Sequence, residues 1–209
     1  MTLPASGSSI AISQVNVEIL RASTATTTLN DTPVRTTFGK PTDLSTIAMS
    51  DGYSKTYRKP LGVLFSSDAS NQSINLSAIS GYVAGISDIT ITVPANVWIY
   101  STTTANAALT ITGGTTGDKL DIVVNGYIAG CGGTGGGYRA SSASATIVEN
   151  PTAGGIGLSS TFYINSITGT GYIAGGGGGG GYGGITGGQS AVGGGGGAGG
   201  GRGSRSVSG

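Results

Sequence analysis

The distribution of glycine constrains this chain more than any other feature. Of its 209 residues 42 are glycine, and all but six of those follow Leu109. An average soluble domain carries about 7% glycine. A glycine tract has no side chain to bury, and ordering it costs about 1–2 kcal/mol per residue in backbone freedom. Such a tract is either a flexible linker or an element held together by its own backbone groups.

Three features favour order. Gly126-Tyr127-Ile128-Ala129-Gly130 recurs 45 residues later as Gly171-Tyr172-Ile173-Ala174-Gly175. Each copy follows a β-like run and enters a glycine tract that ends in a tyrosine, Tyr138 or Tyr182. Two similar structural passes are therefore expected. Larger residues also recur at every third position in Cys131-Gly132-Gly133-Thr134 and in Tyr182-Gly183-Gly184-Ile185. That is the period of a polyproline-II-like helix, whose rise of about 3.1 Å per residue would make Gly175–Gly181 about 22 Å long and Gly193–Gly203 about 34 Å long. Finally, no Asp, Glu, Lys or Arg lies between Glu149 and Arg202, whereas Ile156, Leu158, Phe162, Tyr163, Ile164 and Ile167 do. Disordered tails have the opposite balance of charge and hydrophobicity.

Upstream of the glycine region, Ile89–Val93 alternates, and Val97–Tyr100, Leu109–Thr112 and Leu120–Val124 follow at roughly ten-residue spacing. Pro94-Ala95-Asn96, Gly113-Gly114 and Thr116-Gly117-Asp118 supply the turns between them. Trp98, Tyr100 and Ile122 are expected in the core of these strands. In the first sixty residues, Ser13 is expected to cap a helix carrying Val15, Ile19 and Leu20. A second helix is expected to start at Asn30 or Asp31, place Val34 and Phe38 on one face and stop at Gly39. The expected fold is mainly β: short N-terminal helices, then a small β-sandwich or solenoid-like stack, then a glycine-rich, polyglycine-II-like layered region. The expected boundaries are 1–60, 61–125 and 126–209.

Chemistry is poorly provided for. The chain has no histidine, so a Ser-His-Asp triad and a His-ligated metal are excluded, and its single cysteine, Cys131, cannot close an internal disulfide. Asp118 and Asp121 flank Lys119, but nothing else convergent accompanies them, and Asp43, Asp51, Asp68 and Asp88 are scattered singly. The expectation is a non-enzyme with no cofactor and no bound metal. Ten basic residues against nine acidic ones do not make a nucleic-acid surface. Neither a membrane span nor a secretory signal is legible.

The ordered pieces Thr2–Gly7, Ile12–Asn16, Ser23–Ala25, Leu29–Asp31, Val34–Thr36 and Ile47–Lys55 resemble a leader recurring in tailed-bacteriophage tail-tip and tail-fibre proteins. That resemblance implies a virion location, in a tail fibre or tip, and a docking module over 1–60 in which Val15, Ile19, Leu20, Val34 and Phe38 would contact other phage tail proteins. Over Gly126–Gly203 the alternation of glycine tracts and short inserts resembles the distal adhesins of T-even-like long tail fibres, whose tips are polyglycine II sandwiches carrying receptor-contacting loops. It implies a receptor-binding region over 126–209, facing a host-surface glycan or an outer-membrane protein. The residues expected to make that contact are Tyr138, Arg139, Ser141, Tyr182, Ile185, Thr186, Gln189, Ser190, Arg202 and Arg205. A homo-oligomer is expected and a trimer is compatible, although no heptad sets the count. Two other readings remain: a structural virion component without a receptor, such as a tail-tip, collar or head-decoration protein, and a glycine-rich ice- or RNA-binding protein.

Overall fold

The computed structural model describes residues 2–40, 46–141, 144–180 and 206–207, with the backbone alone for 137–149 and 206–207. The chain divides into two compact units, Met1–Lys59 and Pro60–Gly209.

The first unit is built on two short helices, α1 (Ile12–Glu18) and α2 (Thr32–Thr37), and a 3-10 turn at Met49–Gly52. The N-cap of α1 is Ala11, not Ser13. The backbone N–H of Ala11 donates to Oε1 of Gln14 at 2.7 Å, which fixes the helix start and leaves Ser13 inside the first turn. The second helix starts after Asp31 and ends as expected, with Phe38 at its C-cap and Gly39 at φ +75°. Helices this short are unstable alone and are held by packing. Val15, Ile19, Val34 and Phe38 are buried together with Leu3, and Ile47, Met49 and Tyr57 pack around them. Gly52 is required beneath Phe38, because a Cβ there would press into the ring. Asp31 accepts from Arg21 at 2.6 Å and from the Thr28 hydroxyl at 2.8 Å. The Arg21 hydrogen bond, followed by those from Thr28, holds its carboxyl below the usual value.

The second unit passes four times through the same sheets. The first pass contributes β1 (Lys59–Leu64), β2 (Ala69–Ser70) and β3 (Gln72–Asn75). The second contributes β4 (Ser87–Val93), β5 (Trp98–Tyr100) and β6 (Leu109–Thr112). The third runs through β7 (Lys119–Val124) and β8 (Tyr127–Ala129), makes an excursion through β9 (Gly137–Ser141) and β10 (Ser144–Glu149), and returns in β11 (Leu158–Ser160). The fourth contributes β12 (Ser166–Thr168) and β13 (Tyr172–Ala174), and β14 (Ser206–Val207) follows. Strands of successive passes lie side by side in three sheets, ordered β1-β4-β7-β12, β2-β5-β8-β13 and β3-β6-β11. The pairings β4–β7–β12, β2–β5–β8–β13 and β3–β6–β11 are all parallel.

Parallel in-register pairing turns single residues into columns. Ile91, Ile122 and Ile167 share one column, and Ile99, Ile128 and Ile173 another. Ile89, Ile91, Ile99, Leu109, Ile111, Leu120 and Ile122 are fully buried in one continuous core. Burying each such side chain stabilises the fold by about 1.5–3 kcal/mol. The turns need left-handed backbone where the sequence marked them: Asn96 is at φ +64°, Gly113 at +74°, Gly114 at +89° and Gly117 at +101°.

Trp98 and Tyr100 depart from expectation. They are 45% and 42% exposed, and Ile99 between them is the residue turned inward. Period-two alternation admits only one side of a three-residue strand, and the core took the aliphatic one. Ile122 is fully buried, as expected.

Candidate functional site

The third and fourth passes leave their β-strands directly into glycine-rich segments. Three such segments, 130–136, 151–155 and 175–180, exchange backbone hydrogen bonds at every third residue. Gly130, Gly133 and Gly136 donate to Ala174, Gly177 and Gly180 at 2.8–2.9 Å. Thr152 and Gly155 donate to Thr134 and Cys131 at 3.0 and 2.7 Å, and Gly176 and Gly179 donate to Gly155 and Thr152 at 2.8 Å. Each segment therefore bonds to both of the others. The donor order shows that 130–136 runs alongside 175–180 in the same direction, while 151–155 runs against 131–134.

Glycine is needed where these backbones meet. A Cβ on Gly133 would land on the Thr152 carbonyl oxygen, and one on Gly176 or Gly179 would land on that of Cys131 or Thr134. Gly130, Gly133 and Gly136 are buried, Cys131 is half-buried and Thr134 is exposed. Larger residues thus occupy the phase of the threefold period that the close approach leaves free. Thr134 and Thr152 add a side-chain clasp, with Oγ1 of Thr152 accepting from Thr134 N–H at 2.8 Å.

The β9–β10 excursion emerges immediately past Gly136, the last bonded glycine of its segment. Its two strands pair antiparallel, and β14 adds to the free edge of β9 in parallel register, Ser206 opposite Tyr138 and Val207 opposite Arg139. Tyr138, Arg139 and Ser141 all lie on β9, opposite Ile147, Thr146 and Ser144 of β10. Tyr182, Ile185, Thr186, Gln189, Ser190, Arg202 and Arg205 lie outside the described residues. Of the proposed docking residues, Val15, Ile19, Val34 and Phe38 are spent in the core of their own unit, and Leu20 is the exposed member, at 47%.

Sequence reasoning missed an aromatic ladder on the outer face of the second sheet. Trp98, Tyr127 and Tyr172 occupy one register column. The Trp98 and Tyr127 rings stack at 4.1 Å and 18°, and those of Tyr127 and Tyr172 at 6.0 Å and 16°. The signal was present in the 45-residue repeat, which aligns Tyr127 with Tyr172, and in the Trp-Ile-Tyr alternation of β5. Asp118 and Asp121 are likewise structural. Asp118 accepts from Ser87 N–H, Thr115 N–H and the Tyr82 hydroxyl. Asp121 accepts from Ser166 and Asn165, and these bonds hold its carboxyl below the usual value. Among the described residues, no three His, Cys, Asp or Glu side chains converge as metal ligands would.

Repeated parallel passes, a continuation into backbone-bonded glycine segments and a projecting strand pair all lie within one stretch of chain. A family model described as phage tail fibre adhesin Gp38 matches that stretch, residues 62–209. The chain belongs to this family. No curated protein and no solved structure matches it. Membership in the Gp38 adhesins places the protein in the tail fibre of a virion and implies association with the phage tail and with a host receptor. The Gp38 match takes in the four passes from within β1 onward, the glycine segments and β9–β10, and leaves the helical unit outside. No helix among the described residues of this Gp38-family chain is long and apolar enough to cross a membrane.

Proposed function

We propose that residues 60–180 form a short solenoid that continues into a polyglycine II bundle, and that this scaffold presents β9–β10 to a receptor on the host surface during adsorption. One observation carries the reading: backbone bonds recur at every third residue from Gly130 to Gly136, and the strand pair leaves the bundle where they end. A scaffold held by backbone groups fixes its inserts without needing their side chains, so the inserts are free to vary toward a receptor. Tyr138, Arg139 and Ser141 supply the aromatic, cationic and hydroxyl groups suited to a host glycan or an outer-membrane protein. The remaining contact residues are Tyr182, Ile185, Thr186, Gln189, Ser190, Arg202 and Arg205, which precede Ser206 in the sequence. The protein works by binding, without catalysis or a cofactor. The helical unit docks to other tail proteins through its surface, where Ile12, Val17 and Leu20 are exposed, and the assembly is a homo-oligomer.

The test is adsorption of the purified protein to host cells. Tyr138→Ala with Arg139→Ala and Ser141→Ala is expected to reduce binding at least about tenfold, the scale of losing one hot-spot contact, with an unchanged melting temperature. Undiminished binding of the triple variant would remove β9 from the receptor contact.

A further inference from the structure

The outer face of the third sheet carries a groove separate from β9–β10. It encloses about 420 Å³ between that sheet and the loop that follows β5. Its floor is a column of hydroxyls, Ser73, Thr110 and Ser159, brought into register by the pairing of β3, β6 and β11. Neighbouring parallel strands lie about 4.8 Å apart, so the hydroxyls form an evenly spaced row. Asn71, Gln72 and Asn106 line it as well, and Ala105, Ala107 and Ile156 form apolar lips. Ile156 is 57% exposed there, although its backbone is fixed by the Ala108 N–H donating to its carbonyl at 3.0 Å.

Both rims are built rather than loose. Asn71 takes the left-handed conformation at φ +47° between β2 and β3, a region that asparagine tolerates better than most residues. Its amide nitrogen donates to the Thr102 hydroxyl at 2.6 Å, and its amide oxygen accepts from Thr102 N–H at 3.1 Å. The Ser101 hydroxyl, buried beneath the loop, donates within it to the Asn106 carbonyl at 2.8 Å. Gln72 is held at its backbone by donating to the Ala108 carbonyl at 2.8 Å and at its side chain by donating to the Ser70 carbonyl at 2.8 Å.

The chemistry selects the occupant. Among the described residues no charged side chain lines the groove, so it supplies no counter-charge to a phosphate, a carboxylate or an ammonium group. Hydroxyls and primary amides both donate and accept hydrogen bonds, which matches a rim of sugar hydroxyls, and the apolar lips match the C–H faces of pyranose rings. We propose that this groove binds a neutral oligosaccharide segment, as a contact independent of β9–β10.

The experiment is an array of neutral and anionic bacterial-surface oligosaccharides probed with the full-length protein, followed by titration of the best neutral hit. Thr110→Val with Ser159→Ala is expected to weaken that hit about tenfold, the scale of two lost hydrogen bonds. Asn106→Ala should weaken it by a smaller factor. Thr92→Val, the same change on the first sheet, should leave it unaltered, and melting curves confirm that each variant folds. Retention of anionic glycans alone, of no glycan, or of a neutral glycan indifferent to the groove variants would overturn the proposal. Failure here leaves the β9–β10 reading standing, because that reading is scored on cell adsorption by a different triple variant.

Discussion

The β-strand passes and the glycine segments solve the same stacking problem in opposite ways. In the strands, parallel backbones lie about 4.8 Å apart and the interior is filled by side chains. Ile91 and Ile122, stacked in one column, are both fully buried. In the glycine segments nothing fills the interior, and the backbones close until an added Cβ would strike a carbonyl oxygen. One 45-residue repeat serves both: Tyr127–Ala129 and Tyr172–Ala174 pair as strands, and the residues after each continue as bonded glycine segments. A residue is therefore indispensable in the first region for its volume and in the second for its lack of any.

The largest expected effect comes from violating the second rule. Gly179→Ala should cost at least about 3 kcal/mol, beyond ordinary overpacking because the neighbour is backbone that cannot rotate away. Gly178→Ala, one position along, should change stability by less than about 0.5 kcal/mol, since the nearest atom to its Cβ is the Thr152 carbonyl oxygen at 3.9 Å. Denaturant midpoints of the two variants compare them directly, and equal losses would break the contrast.

Next is the first rule. Ile122→Ala should cost about 2–5 kcal/mol. Ile167→Ala, in the same column but on the last pass and 52% exposed, should cost about 1 kcal/mol or less. Burial along the column, not residue type, would then set the loss, and thermal unfolding measures it.

Smaller still is the exposed ladder. A double-mutant cycle on Trp98→Ala and Tyr127→Ala should return a coupling of about 0.5–1.5 kcal/mol, the value of stacking beyond burial. A coupling of zero would mean that the two rings merely share a surface.

The smallest effect is electrostatic. Asp121 joins the third pass to the fourth through Asn165 and Ser166, and its carboxyl is held below its ordinary 3.8. A lowered folded value contributes stability that is present above the unfolded value and lost as pH falls through the folded one. Asp121→Asn should therefore lower the melting temperature slightly near neutral pH and reduce its decline on acidification below about pH 4. An identical pH profile in the variant would remove this contribution.

How much of this was legible in the sequence varied with the physical signal. The four β-runs between Ile89 and Val124 announced themselves by alternation and turn residues, and each became a strand. The first pass falls within the stack expected from residue 61, but its individual strands were not legible, because β2 spans two residues and Leu64 interrupts the alternation of Leu61 and Val63. Trp98 and Tyr100 were misplaced because aromatic bulk was read as a demand for burial, when the register of Ile99 decided the side. The helix cap was misread at Ser13 because Gln14, reaching back to Ala11, carries no strong sequence signature. Among the candidate contact residues, the repeat marked Tyr138 as the end of a glycine tract but showed neither the strand β9 on which it lies nor the strand that pairs beside it, since β14 lies far along the chain. The groove on the third sheet was hidden for the same reason. Ser73, Thr110 and Ser159 become neighbours only through pairing across passes.

Amide hydrogen exchange tests the central claim most directly, that every third glycine N–H holds this scaffold together. Gly130, Gly133, Gly136, Gly176 and Gly179 are predicted to exchange far more slowly than an unstructured glycine chain, with protection that recurs at intervals of three. Exchange at unstructured rates through both segments, alongside full protection of Ile91 and Ile122 in the strands, would contradict it.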